Sequence, residues 1–161
     1  MPMDNFSASL LDGAIVFGKY PTQEEADLIV HSGFTHIVDL TCPEEITWTP
    51  YVVPITYRKY PFEDGRSQKP RDGWDTFQPL VDELVALLRD GNKLYIHCLG
   101  GHNRSAGLAA ILYGLIERKT SEEAIAAVYQ AHQARNEMKA KWRKLGAPQR
   151  AKQKQIIKKY L

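Results

Sequence analysis

Cysteine is scarce in this sequence: there are two among 161 residues. Two cannot form the disulfide framework of a small secreted scaffold. None is needed, since a chain of about 150 residues buries roughly two thirds of its unfolded surface. No run of about 18 apolar residues occurs, so no membrane span is expected. Met1 to Asn5 lack the basic-then-apolar pattern of a secretory signal. Internal repeats and low-complexity tracts are missing as well. Together these absences point to a reduced intracellular protein, cytoplasmic or nuclear. Acidic residues are nearly missing from one end only. Residues 135–161 hold ten Lys/Arg and a single acid, whereas residues 1–134 hold eleven Lys/Arg and eighteen acids. Such a basic end suits weak contact with RNA or acidic lipid, and suits equally a solvated cationic helix face. No aromatics interleave its charges as in a single-strand binder.

What is present is an ordinary globular composition, 43% hydrophobic and 25% charged, expected to form a single domain over 1–161. Ala14 to Phe17 reads as a short strand. Thr22 opens a helix with Glu25 three residues on, the pattern of a capping box, and Gly33 ends it. Phe34 to Leu40 is a β-branched apolar run, hence a buried strand. Thr41 to Pro54 reads as a loop, Ile55 to Tyr60 as a strand, and Pro61 to Arg71 as a polar loop. Phe77, Leu80, Val81, Leu84, Val85 and Leu88 repeat at helical spacing, giving a helix from about Trp74 to Arg89. Lys93 to His97 is a short apolar strand. A helix from Ser105 to about Glu117 is apolar nearly all round and so buried. Thr120 starts another helix, and Pro148 is expected to start the last, basic one. This alternation predicts an α/β sandwich, a mainly parallel sheet flanked by helices.

The chemistry concentrates at His97-Cys98-Leu99-Gly100-Gly101-His102-Asn103-Arg104-Ser105. A strand enters a short loop, and the loop opens a buried helix. Helix starts carry unpaired N–H groups and partial positive charge, and anions bind there. Gly100 and Gly101 let the backbone curl so that successive N–H groups point inward. A thiol in such a nest is expected to ionise readily, which makes Cys98 a nucleophile. Arg104 supplies a planar fork suited to two phosphoryl oxygens. One loop thus provides nucleophile, cradle (Leu99, Gly100, Gly101, His102, Asn103) and cationic clamp.

The segment matches the Cys-x5-Arg signature of the protein tyrosine phosphatase superfamily and resembles its dual-specificity branch most. Ala14 to Leu40 is similar to that branch's opening strand–helix–strand unit. Tyr60-Pro61-Phe62-Glu63-Asp64-Gly65 resembles the general-acid loop of the phosphatase-and-tensin-homologue and regenerating-liver phosphatases. Pro148 onward resembles the family's closing helix. The resemblance implies that Cys98 attacks phosphorus and forms a cysteinyl-phosphate. Asp64 would protonate the leaving oxygen and then help activate water. Arg104 would bind ground and transition states, Ser105 would donate to the departing thiolate, and His97 would support the loop. It implies no metal and no cofactor. Its expected substrate is a phosphorylated protein, carrying phosphotyrosine and, through a shallow pocket, phosphoserine or phosphothreonine. Glu63 and Asp72 are rival carboxylates to Asp64.

Cys42 lies near where the phosphatase-and-tensin-homologue family keeps a cysteine that bonds the oxidised nucleophile; a plain buried cysteine is the other reading. Arg66, Lys69 and Arg71 suit either acidic substrate groups or a solvated loop face. Trp48, Tyr51 and Trp74 suit either a pocket rim or partly buried core. Three other functions stay open. An RNA 5′-triphosphatase is suggested by the Asn103-Arg104 pair and the basic end. A phosphoinositide phosphatase is suggested by the acid loop, although residues 99–103 hold no lysine and only His102 could supply charge. A phosphate-binding pseudophosphatase is the non-enzyme alternative.

Overall fold

The computed structural model describes residues 2–161. Alternating apolar residues build its sheet. Strands β1 (Ser7–Leu10), β2 (Ile15–Gly18), β3 (His36–Asp39), β4 (Thr56–Lys59) and β7 (Leu94–His97) form five strands in the order β1-β2-β7-β3-β4. β2, β7, β3 and β4 run parallel, and β1 pairs antiparallel with β2 at one edge. All four residues of β2 and of β7 are buried, as expected for parallel strands covered on both faces. Successive residues point to opposite layers. Ile15, Phe17, Val38, Leu94 and Ile96 join one core; Val16, Ile37 and Tyr95 join the other.

The first of these cores lies under α2 (Phe77–Arg89), α3 (Arg104–Glu117), α4 (Ser121–Gln133) and α6 (Ala151–Tyr160); the second lies under α1 (Gln23–His31). Helix α3 is buried at most of its positions, including Leu108, Ile111 and Leu112. Each such side chain contributes about 1.5–3 kcal/mol by leaving water. Thr22 with Glu25 and Thr120 with Glu123 form the capping boxes of α1 and α4. Among the described residues, no helix is long and apolar enough to cross a membrane.

The structure departs from the sequence reading at four places. β1 forms a hairpin with β2 through a tight turn with positive φ at Leu11, Asp12 and Gly13. The loop expected at 61–71 contains a small ribbon, β5 (Phe62–Glu63) against β6 (Lys69–Pro70). A short helix, α5 (Ala140–Leu145), occurs where none was expected. The last helix begins at Ala151 rather than Pro148. Arg150 is extended (φ −91°, ψ 133°), and its N–H bonds the Asn103 side chain instead of joining a helical turn.

Parallel pairing aligns the strand ends. Gly18 and Asp39 both lie opposite His97, and Lys59 lies opposite Asp39. The segments leaving these C-terminal ends therefore meet at one edge of the sheet, where open α/β sheets bind ligands.

Candidate active site

Strand β7 delivers Cys98 to that edge, and α3 begins six residues later at Arg104. The Cys98 Sγ accepts from the Gly101 N–H at 3.3 Å, and Ser105 Oγ lies 3.3 Å away on its other side. Gly101 has φ +77°, and a Cβ there would stand 2.7 Å from the Gly18 carbonyl oxygen. Only glycine fits both constraints, so the loop can lie directly on the end of β2. Tyr20 N–H also bonds Leu99 O at 3.0 Å. His97 is fully buried. Its Nδ1 lies 3.0 Å from Cys98 O, which can only accept, so Nδ1 carries the proton and Nε2 accepts from Tyr51 Oη at 2.7 Å. Burial pushes the His97 pKa down despite the Asp39 carboxylate nearby, so this neutral tautomer persists.

Arg104 is buried and anchored along one side. Nη1 donates to Glu45 Oε2 (2.8 Å), Phe62 O (2.9 Å) and Leu40 O (3.3 Å), and Nη2 donates to Glu45 Oε1 (2.7 Å). Burial disfavours the cation, but Glu45, Cys98 and Asp64 outweigh it, and the pKa is raised. Among the described residues, Nε is buried without a hydrogen-bond partner. Nη2 makes a single bond, so a second N–H there is also unused. The Nε–Nη2 edge of the fork is thus left for two oxygens of an anion.

Asp64, on the segment after β5, faces this edge: its Oδ2 is 3.8 Å from Arg104 Nε. Its Oδ1 accepts from Gln68 Nε2 and, at 3.2 Å, from Asn103 Nδ2. Burial pushes the Asp64 carboxyl up, but Gln68, Arg104 and Asn103 hold it below its ordinary value. Asp64, Cys98, Leu99, Gly100, His102, Asn103 and Arg104 line one cavity of about 200 Å³, joined by Trp142 and Gln149.

Two viral proteins are similar to this chain in sequence. "Putative tyrosine phosphatase 197R" of Invertebrate iridescent virus 6 is 37% identical over 119 residues, 73% of this chain and 45% of the relative. "Putative tyrosine phosphatase 067L" of Invertebrate iridescent virus 3 is 30% identical over 161 residues, 98% of this chain and 66% of the relative. The chain belongs to the cysteine-dependent protein tyrosine phosphatase superfamily. The fold agrees: the crystal structure of PTPMT1 superposes with a TM-score of 0.72 at 15% identity, covering 96% of this chain and 93% of that one. Within the superfamily, the architecture is that of the dual-specificity phosphatases. No protein-family profile matches the chain. The chain spans less than half of the first viral phosphatase relative and about two thirds of the second.

The superfamily loop read from sequence converges as one site, with His97 and Ser105 directly behind it. The rival carboxylates do not join it. Glu63 is paired with Arg71, and neither Glu63 nor Asp72 lines the cavity. Arg71 is also held by Glu44, with Nη1 to Oε2 at 2.7 Å. Trp74 packs edge-on against Phe62 and Phe77. Tyr51 is buried on His97, and with Trp48 it lines a separate groove of about 590 Å³. Cys42 is a buried free thiol, 3.7 Å from the same Phe62 carbonyl that holds Arg104. Burial raises its pKa above the ordinary thiol value. His102 stacks on Trp142 (ring centroids 5.0 Å apart, 17° between planes) and meets His132 at 2.8 Å. Burial, Arg135 and His132 push its pKa down to about 3, so it brings no charge to the cradle near neutrality.

Sequence reasoning missed Glu45, Gln149 and Trp142. For Glu45 a signal existed. It stands three residues after Cys42 and closes a capping box, its Oε2 accepting from the Cys42 N–H at 2.6 Å. That bond orients the carboxylate toward Arg104. For Gln149 and Trp142 there was none, because tertiary approach alone brings them to the cavity.

Proposed function

We propose that residues 1–161 form one catalytic domain, a cysteine-dependent phosphatase hydrolysing phosphotyrosine and phosphoserine/phosphothreonine in proteins. The observation that carries this reading is the unused Nε–Nη2 edge of Arg104 beside the Cys98 thiol and beneath Asp64. A phosphoryl group seated on that edge and on the loop N–H groups presents its phosphorus to Sγ. Attack forms the S–P bond, and the bond to the ester oxygen breaks. Asp64 delivers its proton to that oxygen, so the alcohol or phenol leaves neutral. A bound phosphate dianion beside Asp64 raises the carboxyl pKa and favours the protonated acid. Asp64, again ionised, then takes a proton from water as that water attacks the cysteinyl-phosphate. Ser105 donates to the departing thiolate, and Arg104 carries the charge on the equatorial oxygens throughout. His97 holds the Cys98 carbonyl and so the loop's curvature.

The test is metal-free hydrolysis of para-nitrophenyl phosphate. Vanadate-sensitive turnover is expected, abolished in Cys98→Ser; on phenyl phosphate, whose leaving group needs the proton more, Asp64→Asn should lower turnover by ~100-fold or more. Activity surviving Cys98→Ser would sink the mechanism. A folded wild type that binds phosphopeptide without turnover would be a pseudophosphatase.

One observation favours a second reading, RNA 5′-triphosphatase. The basic segment brings Trp142 and Gln149 to the cavity mouth, with Lys139, Lys141, Lys144 and Arg150 exposed on the same segment. Release of γ-phosphate from triphosphate-ended RNA, falling steeply with salt, would support it. A phosphoinositide substrate has less support, because the loop lacks lysine and His102 is neutral.

A further inference from the structure

Gln68 and Gln153 are charge-free, lie outside the Cys-x5-Arg signature, and are each only 2% exposed. Gln68 also holds a left-handed backbone (φ 44°) that a glutamine rarely adopts. Both features need a reason, because burying amides without partners is costly. The hydrogen bonds supply it. Gln68 Oε1 accepts from Gln153 Nε2 (2.8 Å) and from Asn103 Nδ2 (2.8 Å). With two donors on that oxygen, Nε2 must turn the other way, and it donates to Asp64 Oδ1 and to Gly65 O (2.8 Å). Asn103 is fixed likewise: its Oδ1 accepts from the Arg150 N–H at 3.1 Å, so its Nδ2 faces Gln68 and Asp64. Lys152 Nζ donates to Arg66 O, a further tie between α6 and the acid loop.

We infer that Gln153, acting through Gln68, is a positioning residue that straps the acid loop to α6 and selects the Asp64 oxygen that carries the catalytic proton. The inference rests on Asp64 being the general acid. Oδ1 is engaged by two amide N–H donors, so the proton of the carboxylic acid resides on Oδ2. That is the oxygen facing Arg104 Nε, and so the seat proposed for the phosphoryl group. An unstrapped Asp64 could rotate its proton away from the ester oxygen, and the loop between Phe62 and Pro70 would lose its tie to α6.

Gly107 offers an independent handle. A Cβ there would collide with Gln153 Oε1, the far end of a flexible side chain. Gly107→Ala should therefore displace the Gln153 amide without altering any strap residue, while alanine favours the surrounding helix.

The experiment compares kcat/KM for para-nitrophenyl phosphate and phenyl phosphate in wild type, Gln153→Ala and Gly107→Ala, with amide hydrogen exchange across residues 62–70. Phenolate is the poorer leaving group and depends more on a placed proton. In both variants the loss on phenyl phosphate is expected to exceed the loss on the nitrophenyl ester by ~10-fold, and exchange in 62–70 to quicken. If Gln153→Ala does not fold, Gly107→Ala decides the comparison. Equal losses on the two esters, or unchanged exchange in the acid loop, would overturn the inference. A wild type inert toward both esters would sink the phosphatase reading instead, and exchange would still judge the strap.

Discussion

Glu45 is the residue on which the geometry of Arg104 most depends. It meets the guanidinium through both carboxylate oxygens, and its own direction is fixed by the Cys42 N–H. In Glu45→Gln one charge and one acceptor are lost while the arginine stays buried. Unfolding in urea should register a loss of about 1–3 kcal/mol. The Km for para-nitrophenyl phosphate should rise and kcat/KM fall by ~10-fold or more. An unchanged kcat/KM would show that Leu40 O and Phe62 O hold the fork unaided. At this scale the sequence revealed the groups whose spacing is itself chemical. Cys98 and Arg104 share a single loop, so their partnership is written in consecutive residues. Gln68, Gln149 and Gln153 reach the same place from separate segments, and no local spacing encodes that; for Glu45 the spacing from Cys42 signals its direction but not its distant partner.

At the scale of elements, strong patterning and capping were legible: α1 and α4 start where their Thr residues put them, α2 lies where amphipathic spacing puts it, and α3 follows a stretch that is apolar nearly all round. The elements that escaped are short and weakly patterned. β1 is Ser-Ala-Ser-Leu, poor in β-branched residues, and becomes a strand because β2 offers it an edge. β5 and β6 have two residues each. α5 has six, none of them buried. Tertiary partners rather than propensity create such pieces. Helix α3 carries the cradle's arginine at its first turn and the central core along its length. Ile111→Ala, at a fully buried position, should cost about 2–5 kcal/mol in denaturant unfolding. A loss below ~1 kcal/mol would mean that the core around α3 collapses freely into the gap.

For the whole molecule, acid is the expected stress. His102 and His132 are held neutral: burial with Arg135 pushes them down to about 3 and about 4, from an ordinary 6.5. The unfolded chain takes up protons on both below its ordinary value while the folded one does not. Stability is therefore full at neutral pH and falls as pH drops below that value. Asp39 and Asp64 are depressed carboxylates, and their contribution is lost at still lower pH. The thermal midpoint should fall between about pH 7 and pH 5, where carboxylates stay ionised, and fall less in His132→Gln. A flat midpoint in the wild type over that range would contradict the buried, neutral pair. The order of strands was illegible in the sequence, since parallel neighbours such as β2 and β7 are joined by no turn. That same non-local construction has a consequence in time. Arg104 bonds groups 64, 59 and 42 residues away along the chain, and contacts of such long reach close late in folding. The cradle is therefore expected to complete late: on refolding from urea, the proposed turnover of para-nitrophenyl phosphate should return no earlier than the helical signal, so that recovered activity would mark a finished fold.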